Sequence, residues 1–181
     1  MAPIFVLAGA PAVGKSTTSR ALALRFSKSL YVPVDDIRMM VVSGLMLPGA
    51  QWGDELTQQV RLARSSVTHM ALTYQAAGFA VVIDDFYDSN FMPDYQTLFE
   101  RTPVHKVLLF PSQDTAHQRN YQRSGESPAR HYIDEGIRLV YQALRADVRR
   151  LAQTGWSIVD TTLLGVDAAV DAIQRQAALA P

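Results

Sequence analysis

Short apolar runs occupy residues 4–8, 30–34, 79–83, 104–110 and 156–159. They are compact and mostly lack strict alternation of apolar and polar positions, the pattern of strands buried on both faces. Between them, helical patterns are predicted over 16–26, over about 54–77 closed by Gly78, and over 94–100, 115–123, 131–153 (ending near Gly155) and 166–178. Strand followed by helix, repeated along the chain, predicts an α/β fold: a parallel sheet covered by helices, with ligands beyond the carboxyl ends of the strands. Pro and Gly interrupt this rhythm at Met46-Leu47-Pro48-Gly49-Ala50 and at Arg123-Ser124-Gly125-Glu126-Ser127-Pro128-Ala129-Arg130. Each break reads either as a plain surface turn or as a functional element. The first would open an acceptor-binding insertion over about 37–77, and the second a lid over about 119–131.

The turn after the first run carries the strongest chemistry. Gly9, Ala10, Pro11, Ala12, Val13, Gly14, Lys15 and Ser16 spell a complete G-x-x-x-x-G-K-S/T phosphate loop between a strand and a helix-prone stretch that opens with Thr17. Gly9 and Gly14 let the backbone curl with its N–H groups inward, Lys15 reaches the β and γ phosphates, and the Ser16 hydroxyl ligates Mg²⁺. The helix that follows adds its positive end. A nucleotide triphosphate, with ATP and Mg²⁺ as the expected pair, is the leading ligand.

Acidic pairs follow two further strands, Asp35-Asp36 after the second and Asp84-Asp85 after the third. Phosphoryl transfer to a hydroxyl needs a group to take up its proton, and Asp35 is the candidate base. Asp36 reads equally as a cap of the next helix. Asp84 could serve Ser16 or a Mg²⁺-bound water, and Asp85 the acceptor, with the order of the two left open. Arg38 lies near one helical turn from Asp35 and could project into the same acceptor site, with a surface salt bridge as the plain alternative. Arg119 and Arg123 share one face of a predicted helix; they could converge on the phosphates or simply form a solvated face. Trp52, Phe86, Tyr87 and Phe91 could wall an apolar acceptor pocket or cover the core.

Bulk properties narrow the classes. A chain of 181 residues with 48% hydrophobic content suits one domain, 1–181. Basic and acidic residues both number 17, so no global positive field recruits nucleic acid or a membrane. Cysteine is absent, which excludes disulfides and thiolate metal sites, and His69, His105, His117 and His131 lack metal-motif spacing. The apolar start reads as a strand rather than an export signal, and no run has the roughly 20 apolar residues of a spanning helix. A cytoplasmic location is expected.

The segments GAPAVGKST, VPVDDIR, VVIDDFYDSN and QRNYQRSGESPAR, in that order, resemble the small P-loop kinases that include the kinase domain of phage polynucleotide kinase and chloramphenicol phosphotransferase. The resemblance spans nearly the whole chain. It implies a three-layer P-loop NTPase sandwich, with a five-stranded parallel sheet in the order 2-3-1-4-5 and a short lid. From the polynucleotide kinase pattern it implies Asp35 as general base, Arg38 on the acceptor side, and Arg119 and Arg123 on the transferred phosphoryl group and ATP. From the antibiotic kinase pattern it implies Thr161 and Thr162 near the adenine. Phe86-Tyr87 departs from the small polar residues that polynucleotide kinases tend to carry there, and the lid is not Lys-rich.

The resulting expectation is ATP- and Mg²⁺-dependent transfer of a γ-phosphoryl group to a hydroxyl of a small molecule, antibiotic-like, sugar-like or nucleoside-like. Lys15, Asp35, Arg119 and Arg123 would be catalytic, Asp35, Arg38, Asp85 and Tyr87 would bind the acceptor, and Ser16 and Asp84 would hold the metal. A polynucleotide 5′-hydroxyl kinase is the alternative enzyme, and a regulatory ATPase the alternative of another class. The chain has no N/T-K-x-D guanine motif and no D-x-x-G after the third strand, which disfavours a GTPase switch.

Overall fold

The first apolar run forms β1 (Ile4–Ala8), and all of its side chains are buried. Ile4, Val6 and Ala8 enter one hydrophobic cluster, while Phe5 and Leu7 enter another on the opposite face. A strand buried on both faces must lie inside a sheet with helices above and below. The structure is a computed structural model that describes residues 1–47, 52–88 and 91–179, with the side chains of Met92 and Leu179 outside the description. Pro48, Gly49 and Ala50 of the first predicted break, and Ser89 and Asn90 of the VVIDDFYDSN segment, lie outside the described residues.

After β1 come α1 (Lys15–Ala23), β2 (Ser29–Pro33), α2 (Val34–Met39), α3 (Asp54–Ala76), β3 (Ala80–Asp84), α4 (Phe91–Asp94) and α5 (Gln96–Arg101). The chain continues through β4 (Val104–Leu109), α6 (Gln113–Ser124), α7 (Pro128–Gln153), β5 (Trp156–Val159) and α8 (Val166–Leu179). The strands form one parallel sheet in the order β2-β3-β1-β4-β5, as the resemblance implied. The cluster on one face takes in side chains of α3, α5 and α7; the other takes in α1 and α8 with further side chains of α7.

Local chemistry explains where the elements depart from the periodic reading. Pro33 is tolerated at the end of an edge strand and stands in extended geometry just before α2, so the chain turns into a helix at once. Asp35 and Asp36 therefore lie in the first turn of α2, where negative charge meets the positive helix end, and Asp36 is not a cap. The stretch 94–100 divides into α4 and α5 around Tyr95. Helix α6 begins two residues before the expected start because Ser112 caps it, its Oγ accepting from the Thr115 N–H at 3.2 Å. Helix α7 begins three residues early because Pro128 suits a first helical turn. Among the described residues, no helix is long and apolar enough to cross a membrane.

Candidate active site

The loop between β1 and α1 is shaped by backbone that most residues avoid. Gly9 has φ 155°, and a Cβ there would stand 2.7 Å from the Leu109 carbonyl oxygen, so only glycine lets the loop pass this close to β4. Gly14, at φ 97°, is the residue from which α1 starts. The ammonium of Lys15 donates to the Ala10 carbonyl at 2.8 Å. Burial pulls its pKa below the ordinary value, against the opposing pull of Asp84, Asp35 and Asp85.

A cleft of about 1670 Å³ opens above this loop at the carboxyl ends of the strands. Pro11 through Thr17 line its floor, together with Asp35, Arg38, Asp84, Asp85, Arg119, Arg123 and Thr161. These residues come from separate parts of the chain, and the sheet order brings them together. Asp84 closes β3 beside β1 and accepts a hydrogen bond from the Tyr31 hydroxyl at 3.0 Å. Burial and Asp84 push the Tyr31 phenol up to about 12, so it remains a donor at neutral pH. Ser16 and Asp84 supply hard oxygen donors at one end of the loop. Among the described residues, no group of three or more His, Cys, Asp or Glu side chains could hold a metal. That donor set fits Mg²⁺ held by few protein groups together with phosphates and water.

Asp35 is exposed on α2, and its Oδ1 accepts from Arg38 at 3.1 Å. Arg38 itself is buried, donates to the Met46 carbonyl at 3.1 Å, and stands 5.9 Å from the centre of the Phe86 ring. On the opposite side, Arg119 donates to the Val13 carbonyl at 2.9 Å and to the Thr161 carbonyl at 2.7 Å. It thereby ties the phosphate loop to the turn after β5. Arg123 lies one helical turn further along α6 and acts on the Lys15 charge.

Other expected residues have different surroundings. The Tyr87 hydroxyl donates to Asp147 at 2.5 Å and its ring joins the core with the fully buried Phe91, yet Tyr87 still borders the cleft beside Trp52 and Phe86; of the four aromatics it is Phe91 that does not line it. Thr162 braces the turn after β5, donating to Asp160 at 2.5 Å and accepting from the Ser112 N–H at 2.8 Å; Thr161 is the residue that borders the cleft. Asp85 is buried with both oxygens engaged: Oδ2 accepts from Arg64 at 2.7 Å and from Tyr95 at 3.1 Å, and Oδ1 from the Phe86 N–H at 2.8 Å. Burial pushes its carboxyl up to about 6 despite the Arg64 charge.

Arg64 is the residue that sequence reasoning missed. It sits in the buried stripe of α3 with Val60, Ala63, Val67 and Ala71, where a charge has no place unless something pairs with it. That violation of the helical pattern was the available signal. The far wall of the cleft was also missed: α7 presents Tyr132, Ile133, Gly136, Leu139 and Val140 to it, with Tyr132 and Leu139 half exposed.

The fold is shared with solved structures. A shikimate kinase from Bacteroides thetaiotaomicron matches with a TM-score of 0.62 and 20% identity over 98% of this chain and 97% of that one. A tunicamycin resistance protein from Deinococcus radiodurans matches at 0.66 and 17% over 98% and 96%. A gluconokinase from Sinorhizobium meliloti 1021 matches at 0.63 and 17% over 98% and 93%. At these identities the likeness speaks to the fold. No curated protein sequence matches the chain. The family model described as "AAA domain" matches residues 4–137, from the first strand through the phosphate loop and into the first half of α7, and with that the chain belongs to the AAA domain family.

Proposed function

We propose that the protein is an ATP-dependent kinase that phosphorylates a hydroxyl of a small molecule. The observation that carries this reading is the meeting, in one cleft, of the Lys15 loop with an exposed carboxylate, Asp35, that acts on the Lys15 charge. A carboxylate beside a cavity open enough for an alcohol is placed to receive the proton of an acceptor hydroxyl. The half-exposed apolar groups Trp52, Tyr132 and Leu139 support a compact acceptor with an apolar body over a polynucleotide. The solved neighbours whose printed names give an activity, shikimate kinase and gluconokinase, fit the same class.

In this reading the loop N–H groups and Lys15 hold the β and γ phosphates, and Arg123 faces the transferred group. Arg119 and Thr161 bound the base end. Asp35 accepts the acceptor hydroxyl proton; the hydroxyl oxygen bonds to the γ phosphorus while the bond from that phosphorus to the bridging oxygen breaks and ADP departs. Ser16, with Asp84 behind it, would hold Mg²⁺, which neutralises phosphate charge.

The test is calorimetry with MgATP, followed by a screen of alcohols for acceptor-dependent ADP formation. Lys15→Ala is expected to abolish nucleotide binding. Asp35→Asn should leave binding intact and lower transfer by about 10²- to 10⁴-fold. Full transfer activity in Asp35→Asn would remove the base assignment. ATP hydrolysis that no alcohol stimulates would favour the regulatory ATPase.

A further inference from the structure

The residues that follow β3 are anchored from beneath by one side chain. Arg64 is fully buried and does not line the cleft, yet its guanidinium meets Asp85 at 2.7 Å, Asp88 at 2.8 Å and Asp94 at 3.0 Å. A further bond runs to the Phe86 carbonyl at 3.2 Å. Burial disfavours this charge, but Asp85 and Asp88 outweigh it and hold the guanidinium pKa above its ordinary value. An apolar residue would continue the buried stripe of α3 without taking ions out of water, whereas a buried ion pair adds little stability for its desolvation cost. What the arginine provides, and an apolar side chain cannot, is a rigid fork that fixes several acceptors at once.

Phe86 is where this anchor reaches the cleft. Its ring centre lies 5.0 Å from the Arg64 guanidinium and 5.9 Å from that of Arg38, and Trp52 meets it edge-on at 5.9 Å. We propose that Arg64 is a positioning residue for the acceptor side: through Asp85, Asp88 and Asp94 it holds Phe86, and Trp52 against it, as a fixed apolar wall beside Asp35 and Arg38. That this wall faces an acceptor rests on the kinase reading; that Arg64 sets its geometry does not.

The experiment uses the half-exposed Trp52 as reporter, since the other tryptophan, Trp156, is buried and shielded from acrylamide. Arg64→Lys keeps the charge but loses the fork. In the folded variant, acrylamide quenching of Trp52 rises and MgADP affinity stays at the wild-type level. With an alcohol from the screen, kcat/KM for that alcohol falls by about tenfold to a hundredfold, the scale of a slight misplacement.

Unchanged Trp52 quenching overturns the proposal, and so does a parallel loss of MgADP affinity, which would mark Arg64 as support for the whole fold. Should circular dichroism show Arg64→Lys unfolded, Asp94→Asn, which weakens the α4 end of the anchor together with the exposed Arg61 pair, is read the same way: quenching must rise with MgADP affinity retained. If no alcohol is phosphorylated, the kinase reading fails while the quenching and MgADP measurements still decide the role of Arg64.

Discussion

Adjacent in the chain, Asp84 and Asp85 have different partners: Asp84 ends β3, and Asp85, just past it, still bonds through its N–H to the Leu7 carbonyl of β1 and turns to the other face of the sheet. Asp84 meets Tyr31 beside the phosphate loop, and Asp85 meets Arg64 and Tyr95 in the core beneath. Burial raises the Asp85 pKa to about 6 in the folded protein, so its neutral form is the one that favours folding. Its contribution to stability is complete below the unfolded-state pKa of about 3.9 and is lost as pH rises through the folded value. Wild-type stability relative to Asp85→Asn is therefore expected to fall between about pH 4 and pH 7, as read from urea midpoints at each pH. A difference that does not vary with pH would show that Asp85 is ionised throughout.

The helical hairpin of α6 and α7 carries Arg119 and Arg123 of the cleft, and polar groups hold it closed. Asn120 is fully buried and donates to the Arg130 carbonyl at 3.0 Å and to Asp134 at 2.9 Å, while its own Oδ1 accepts from Ser124 at 3.2 Å. His117 meets the same Asp134 oxygen at 2.8 Å. The expected lid over 119–131 is thus two helices cross-linked near their turn. Asn120→Ala would strand buried partners and cost about 1–3 kcal/mol. The expected result in calorimetry is a melting temperature lower by several degrees, about 2–4 °C for each kcal/mol in a chain of this size. An unchanged melting point would mean that water replaces the amide.

Across the molecule, one cross-link joins the phosphate loop to the turn after β5. Arg119 reaches from α6 to Val13 in the phosphate loop and to Thr161 after β5, 106 and 42 residues away. Arg119→Ala removes charged hydrogen bonds of a kind worth about 1.5–3 kcal/mol to stability and frees the phosphate loop from the turn after β5, so MgADP affinity is expected to fall. Calorimetry at constant salt checks this, and wild-type affinity would place Arg119 outside nucleotide binding.

Much of the architecture was legible before any coordinates. The phosphate loop lies within eight consecutive residues, and the strands announce themselves as short apolar runs, because backbone curl and burial on both faces are local demands. The helix starts at Ser112 and Pro128 were written there too, in cap chemistry that periodicity overlooks. Helix α2, at six residues, is too short for any period to show, so Asp35 read as a strand end. Partnership between remote segments was decided only in three dimensions. Arg64 finds Asp85 across 21 residues and Asp94 across 30, and Tyr87 finds Asp147 across 60. The chain alone could say that a charge in a buried stripe must be paired. Which carboxylates pair with it, and which remain in the cleft for chemistry, depends on how the helices pack against the sheet, since burial and ion pairing are properties of neighbours that sequence distance does not encode.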